Sequence, residues 1–151
     1  MKKYFPICID LSNKNILIVG GGKIAYRKMK NLLNYGARIE VITPEIKEEK
    51  FFKLIEEKKI NLILRKFKDS DIENRFLIIG ATGDKELNKK IYILGDSKNI
   101  LVNNITTKKD LNARFCAIHR GNDFHVAIST DEGNPKRALE LKKQVGKNLE
   151  K

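Results

Sequence analysis

A chain of 151 residues is the size of one domain with an appendage, long enough for a sizeable core and too short for two full ones. Lys and Arg number 31 against 19 Asp and Glu, and the net charge of +12 calls for an anionic partner: nucleic acid, a membrane surface or a small polyanion. Cys8 and Cys116 stand far apart without CxxC or His-paired spacing, which excludes a disulfide scaffold and a zinc module and predicts two reduced, buried thiols.

The start, "MKKYFPICIDLSNKN", is basic, but Pro6 and Asp10 interrupt its apolar stretch, which falls short of a signal-peptide core and of a membrane span. The expectation is a soluble, cytoplasmic protein. "NILIV" (15–19) reads as a strand, followed by a helix from about Ile24 to Tyr35 closed by Gly36 and a second strand, "RIEVIT" (38–43). This is a βαβ unit of the usual length, about 30 residues. Thr43 and Pro44 suggest a cap and first-turn proline for a helix over 44–58, with Glu45, Glu48 and Glu49 early and Lys58 late.

Next come "NLILR" (61–65), "FLIIGAT" (76–82), a helix from Asp84 with Leu87, Ile91 and Leu94 on one face, and "ILVNN" (100–104). Near-continuous apolar strands alternating with helices predict an α/β fold, a Rossmann-type parallel sheet covered on both faces. Past residue 104 the rhythm changes. "ARFCAIHR" (113–120) and "FHVAIST" (124–130) are separated by "GND", which suits an antiparallel hairpin and leaves no room for a crossover helix. A last helix from Pro135 carries Ala138, Leu141, Val145 and Leu149 on one stripe. The expected division is a dinucleotide-binding domain, 1–112, and a hairpin-plus-helix segment, 113–151, packed on that domain or on a second copy of the chain.

Gly20, Gly22 and Ala25 fit G-x-G-x-x-G/A directly after a strand and at the head of a helix: a tight turn, a close approach for pyrophosphate, and a small residue where helix meets strand. The carboxylate nearest the second strand end is Glu45, a candidate for the adenosine ribose and equally a first-turn helix carboxylate. No arginine follows that strand end, which favours NAD over NADP. Lys23, Arg27, Lys28 and Lys30 follow the glycines with no acidic residue among them, either a solvated face or the wall of a site for a further anion. His119 and His125 flank the hairpin turn and read as surface histidines; no metal site is expected. Thr130 and Asp131 precede the last helix, where turn chemistry and a substrate role are equally open.

"VGGGKIAYRKMKNLLNYGARIEVITPE" resembles the opening of the precorrin-2 dehydrogenases, the NAD-dependent dehydrogenase domain of siroheme synthase. "IIGATGDKELNKKI", "ILVNN" and "RGNDFHVAISTDEGNPKRALELKKQV" resemble later segments of that family in the same order, so the likeness runs from about Tyr4 to Lys147. The resemblance implies removal of two electrons from precorrin-2, an octacarboxylate tetrapyrrole, to give sirohydrochlorin, with NAD as hydride acceptor. It implies an anionic tetrapyrrole substrate; the short hairpin and amphipathic helix, unable to bury both faces unaided, predict a homodimer through 113–151, and neither a nucleic-acid nor a membrane partner is expected. Its implied cofactor positions are Gly20, Gly21, Gly22, Lys23, Ile24, Thr43, Pro44, Glu45 and Thr82, with the backbone of Lys23 and Ile24 making the contact. Its implied substrate positions are Arg27, Lys28, Asn103 and Ser129.

The sequence departs from the family at the loop after the "VNN" strand end. An aspartate there is implicated in dehydrogenation and iron insertion, and this chain has Thr106 and Thr107, with Asp110 as a substitute if the loop folds back or otherwise as a turn residue. The relatives also continue into a further helical region tied to dimer and substrate contacts. Dehydrogenation, which depends chiefly on positioning, is therefore expected, and iron chelation is not. Two other classes compete: a noncatalytic NAD- or tetrapyrrole-binding sensor or carrier on the same fold, and a nucleic-acid binder, which fits the charge but lacks aromatic interleaving and a recognition motif.

Overall fold

The Ile-, Leu- and Val-rich runs become strands because each is apolar on both faces and can be buried only in the middle of a covered sheet. A computed structural model describes residues 4–149; the outermost ends of both expected domains, 1–3 and 150–151, lie outside the described residues. The chain divides into one unit of Ile7–Ala113 and a second that joins the stretch ending at Pro6 to the chain from Arg114 onward.

In the first unit the elements run β1 (Asn15–Val19), α1 (Lys23–Lys30), β2 (Arg38–Thr43), α2 (Lys50–Glu56), β3 (Asn61–Leu64), β4 (Leu77–Gly80), α3 (Lys85–Ser97) and β5 (Leu101–Asn104). The strands lie in the order β3-β2-β1-β4-β5 and every pairing is parallel. Strand alternation divides the core. Leu17, Val19, Ile42, Ile78 and Val102 pack with Ile91 of α3, while Ile16, Ile18, Val41 and Ile79 turn to the other face. On that side α1 and α2 meet edge-to-face through Tyr26 and Phe51. Asp84, from which a helix was expected, is the N-cap of α3, its Oδ1 accepting from the N–H groups of Glu86 and Leu87.

Two helices are shorter than their patterns predicted. α1 ends at Lys30, and a 3-10 turn over Leu33–Tyr35 leads to Gly36 at φ 68°. Asn31 and Asn34, poor helix formers, sit where the helix was expected to continue. The larger correction is the helix predicted over 44–58. Pro44 is not at its first turn, α2 begins only at Lys50, and no acidic residue lies in its first turn. The reason is tertiary: the N–H groups of Lys47 and Glu48 donate to the Gly21 carbonyl at 2.9 and 3.1 Å, and the Thr43 hydroxyl donates to the Glu45 carbonyl at 2.7 Å.

The edge strand β5 is tied down by the chain that follows it. Asn112 Oδ1 accepts from the Val102 N–H at 2.6 Å, and the Val102 carbonyl accepts from the N–H groups of Asn112 and Ala113. In the second unit β6 (Ala117–Arg120) and β7 (His125–Ile128) form the expected antiparallel hairpin, followed by α4 (Pro135–Leu149). Asn134 caps α4 through the N–H groups of Lys136 and Arg137, and the Thr130 hydroxyl accepts from the Asn134 N–H at 2.7 Å, so these turn residues brace the helix start. His125 is exposed, but His119 is not a surface residue: its ring lies against Gly146, where a Cβ would come within 2.9 Å of it. Cys116 is half-buried, its thiol pKa raised by burial; Cys8, expected inside, is exposed in the stretch before β1, and neither forms a disulfide.

One buried charge organises the approach to β4. Asp71, 8% exposed, accepts from both terminal nitrogens of the Arg65 guanidinium at 2.8 and 2.6 Å and from the Lys68 N–H at 2.7 Å. Arg75 reaches from the Asp71 carbonyl to Glu40 on β2, and Glu40 also accepts from Asn61 on β3. The Arg65 hydrogen bonds hold the Asp71 carboxyl below its ordinary 3.8 against the opposing effect of burial. A depressed carboxyl stabilises the fold above its unfolded value and loses that effect as pH falls through its folded value. Asp71→Asn is therefore expected to cost about 2 kcal/mol in urea unfolding at neutral pH, and the gap from wild type to close in acid. A gap that stays constant down to the most acidic pH at which the protein folds would contradict this.

Candidate functional site

The parallel register lines up the carboxyl ends of β1, β2, β4 and β5. Val19 pairs with Ile42 on one side and Gly80 on the other, and Gly80 pairs with Asn104. The strand order reverses between β1 and β4, the position where open α/β sheets bind ligands, and the glycine turn begins there.

The three glycines are required for different reasons. Gly20 has φ 128°, a conformation L side chains rarely adopt, and a Cβ on it would lie 2.3 Å from the Ala81 carbonyl oxygen. A Cβ on Gly21 would lie 2.4 Å from the Glu45 carbonyl oxygen. Gly22 differs: a Cβ there would meet no atom within 4 Å. It is the N-cap of α1, in ordinary extended conformation (φ −97°, ψ 179°) with no side-chain cap on the helix. Folding does not demand a glycine at 22, but close approach of an anion to the first-turn N–H groups of α1 does. The residues present thus fit a pyrophosphate. Lys23 and Ile24 open the helix with exposed side chains.

Beside this turn, Thr43 is buried and its hydroxyl is taken by the Glu45 carbonyl, whereas Pro44 and the Glu45 side chain are exposed. Lys47 approaches the Glu45 carboxylate at 3.8 Å, but both side chains are at least 70% exposed and the pair is worth little. On the other side Thr82 turns its hydroxyl inward to Asn88 Oδ1 at 2.8 Å. Asn88, fully buried on α3, also accepts from the Thr82 N–H and donates to the Thr82 carbonyl. Sequence reasoning missed Asn88, although an amide one turn before Ile91 on the apolar stripe of α3 was the available signal.

At the end of β5, Asn103 and Asn104 are both buried. Asn103 Nδ2 donates to the Ala113 carbonyl, and Asn104 Oδ1 accepts from both the N–H and the hydroxyl of Thr106, at 2.9 and 2.7 Å. The remaining amide atoms, Asn103 Oδ1 and Asn104 Nδ2, have no hydrogen-bond partner among the described residues. Thr107 makes a local turn, accepting from the Lys109 N–H, and Asp110 is half-buried in the same loop. Arg27 on α1 is exposed and Lys28 half-buried; burial first, and then the neighbouring Arg27 charge, lower the Lys28 pKa from its ordinary 10.5. Ser129 belongs to the second unit, exposed immediately after β7. The carboxyl edge thus offers backbone donors and the amide atoms Asn103 Oδ1 and Asn104 Nδ2, while the hydroxyls of Thr43, Thr82 and Thr106 are donated within the protein.

Comparison with known proteins agrees with this geometry. The family model described as "Putative NAD(P)-binding" matches residues 7–117. A "Probable multifunctional siroheme biosynthesis protein HemA" of Ruminiclostridium josui is 39% identical over 76% of this chain and 22% of its own length. A "Siroheme synthase" of Mannheimia succiniciproducens is 32% identical over 94% of this chain and 30% of its own. The chain thus spans less than a third of the length of these relatives. A solved structure, "SirC, precorrin-2 dehydrogenase", superposes with a TM-score of 0.84 at 28% identity, covering 96% of this chain and 71% of that one.

The three glycine environments predict different responses to the same substitution. Gly21→Ala forces a Cβ against the Glu45 backbone and is expected to cost about 2 kcal/mol or more, while Gly22→Ala stays within about 1 kcal/mol of wild type in urea unfolding. Equal losses in the two variants would show that Gly22 is also a packing glycine.

Proposed function

This chain belongs to the putative NAD(P)-binding family, and from that premise we propose that it is an NAD-dependent dehydrogenase that takes two electrons from precorrin-2 to give sirohydrochlorin. The observation that carries the cofactor half is Gly22, whose missing side chain the fold does not require and a pyrophosphate does. The substrate half is supported by the relatives and by α1, which has Arg27, Lys28 and Lys30 in its last turn and no acidic residue in its first. Arg27 and Lys28 repel one another, and a substrate carboxylate beside them relieves that repulsion.

Gly20, Gly21 and Gly22 with the backbone of Lys23 and Ile24 hold the pyrophosphate, and Thr43, Pro44 and Glu45 line the ribose side. The Glu45 carboxylate, exposed just past β2, favours an unmodified ribose and so NAD over NADP. Thr82 borders the cofactor by its backbone, since its hydroxyl is committed to Asn88. When bound, NAD supplies the hydride acceptor. Asn103 and Ser129 are assigned to substrate, and Asp110 is the carboxylate available in the loop after β5 for the proton that leaves with the hydride. Thr106 is a poor base, and its hydroxyl is already donated to Asn104, so iron insertion is not part of the proposed activity.

The protein is proposed to act in the cytoplasm, as two cysteines without a disulfide suit, and no helix among the described residues is long and apolar enough to cross a membrane. It is further proposed to dimerise through residues 113–151: in that stretch only Ala138 and Gly146 are buried among the described residues, and Phe124, Leu139 and Leu149 are exposed. Light scattering at tens of micromolar protein is expected to give twice the chain mass, and a monomer would refute the dimer.

A single-turnover assay with NAD and precorrin-2, followed by absorbance, is expected to show sirohydrochlorin formed in step with NADH. Gly22→Val is expected to abolish NAD binding in a calorimetric titration while remaining folded. Binding of both ligands without turnover would convert the reading to a noncatalytic sensor or carrier. With sirohydrochlorin and Fe²⁺ under anaerobic conditions, siroheme is expected to form no faster than without enzyme, with a gain in Thr106→Asp. Rapid formation by the native chain would overturn that part.

A further inference from the structure

We infer that Asn88 is a positioning residue for the cofactor turn, acting through the Ala81–Thr82 peptide; this rests on the cofactor reading above and adds a residue to it. Asn88 is fully buried and makes no contact that would itself bind a ligand. Its whole amide is spent on one neighbour: Oδ1 accepts from the Thr82 N–H at 3.2 Å and hydroxyl at 2.8 Å, and Nδ2 donates to the Thr82 carbonyl at 3.0 Å. Position 80 makes room for it, since a Cβ on Gly80 would stand 3.3 Å from Asn88 Oδ1.

The Thr82 N–H and the Ala81 carbonyl belong to the same planar peptide, so fixing the direction of one fixes the other. That carbonyl oxygen is the atom Gly20 leans on, 2.3 Å from where a Cβ would be, and the Thr82 nitrogen lies 3.2 Å from the same point. The Ala81 N–H is held by Val19, at the end of β1. Asn88 therefore sets the wall against which the first glycine packs, and through it the placement of Gly22 and the start of α1. A rotation of this peptide would move its carbonyl relative to Gly20 without disturbing the strand pairing. Misplacement by a fraction of an ångström is enough to weaken a pyrophosphate site built from fixed backbone donors.

The test uses the amide's need both to accept and to donate. In Asn88→Asp, a carboxylate can accept from Thr82 but cannot donate to its carbonyl, and protonation restores the missing donor; burial and the facing carbonyl favour that protonated form. NAD is titrated calorimetrically into wild type, Asn88→Asp and Asn88→Leu at about pH 5.5 and about pH 8.5, on proteins shown to be folded by thermal melting. Asn88→Leu is expected to bind about tenfold or more weakly at both pH values. Asn88→Asp is expected to be similarly weak at the higher pH and to recover most of its affinity at the lower, while wild type changes little. Folded Asn88 variants that bind like wild type, or an Asn88→Asp that is equally weak at both pH values, would overturn the inference.

If the Asn88 variants do not fold, Gly80→Ala provides the same test by pressing on the Asn88 amide, and a roughly threefold or greater loss of NAD affinity is expected. Unchanged affinity there would also overturn the inference. Hydrogen exchange of the Thr82 amide in cofactor-free protein separates this inference from the cofactor reading. Protection in wild type and its loss in Gly80→Ala or Asn88→Leu support the clamp even if wild type binds no NAD, and absence of protection in wild type removes it.

Discussion

Two peptides press on the glycine turn, and their closeness determines most of the carboxyl edge. The Ala81 carbonyl stands against Gly20 from the end of β4, and the Glu45 carbonyl against Gly21 from the segment after β2. The first is held by Asn88 through the Thr82 N–H, and the second by the Thr43 hydroxyl. The turn therefore has one path, which delivers the chain to α1 with its amino end uncapped by any side chain. The same crowding explains why residues 44–49 are not helical: their N–H groups satisfy a Gly21 carbonyl that the tight turn leaves without an internal partner.

Much of the first unit was legible in the sequence because its signals are local. Apolar runs bounded by turns, the glycine spacing and the helix start at Asp84 each depend on neighbours a few residues away, and the strands and α3 appear close to where those signals put them. What could not be read was long-range. Thr43 and Pro44 carry a good helix-start signal, but the carbonyl of Gly21, more than twenty residues earlier, outcompetes it. The left-handed turns at Asn13, Asn74, Asn99 and Lys58 use no glycine and so left no glycine mark. Asn88 was hidden for a similar reason: a single polar residue on an apolar stripe marks a buried hydrogen bond without naming its partner.

The acidic residues explain where the excess positive charge is left to act. Glu57, Asp71 and Glu40 pair with Lys59, Arg65 and Arg75 on the chain connecting α2, β3 and β4, and Asp69 and Glu73 pair with Lys90 on α3 and Lys98 just after it. Most of these pairs are exposed and of small energetic weight, yet they offset the field of the cations beside them. α1 carries no acidic residue of its own. The uneven placement of partners, more than the overall total, directs an anion toward the helix that follows the glycines.

The hydrogen bonds that Asn112 and Ala113 make to Val102 have a consequence for association. A strand at the border of a sheet presents unpaired backbone groups, and another chain can add itself there by continuing the ladder. Val102 already spends its N–H and its carbonyl on residues ten and eleven positions later, so the β5 border is closed by its own sequence. Within residues 7–113 the opposite border is β3, only four residues long, flanked by the charged Lys59 and Arg65. Short length discourages strand addition there, so the sheet is guarded against growing into fibrils at one border by the hydrogen bonds of the chain that follows it and at the other by the brevity of the strand.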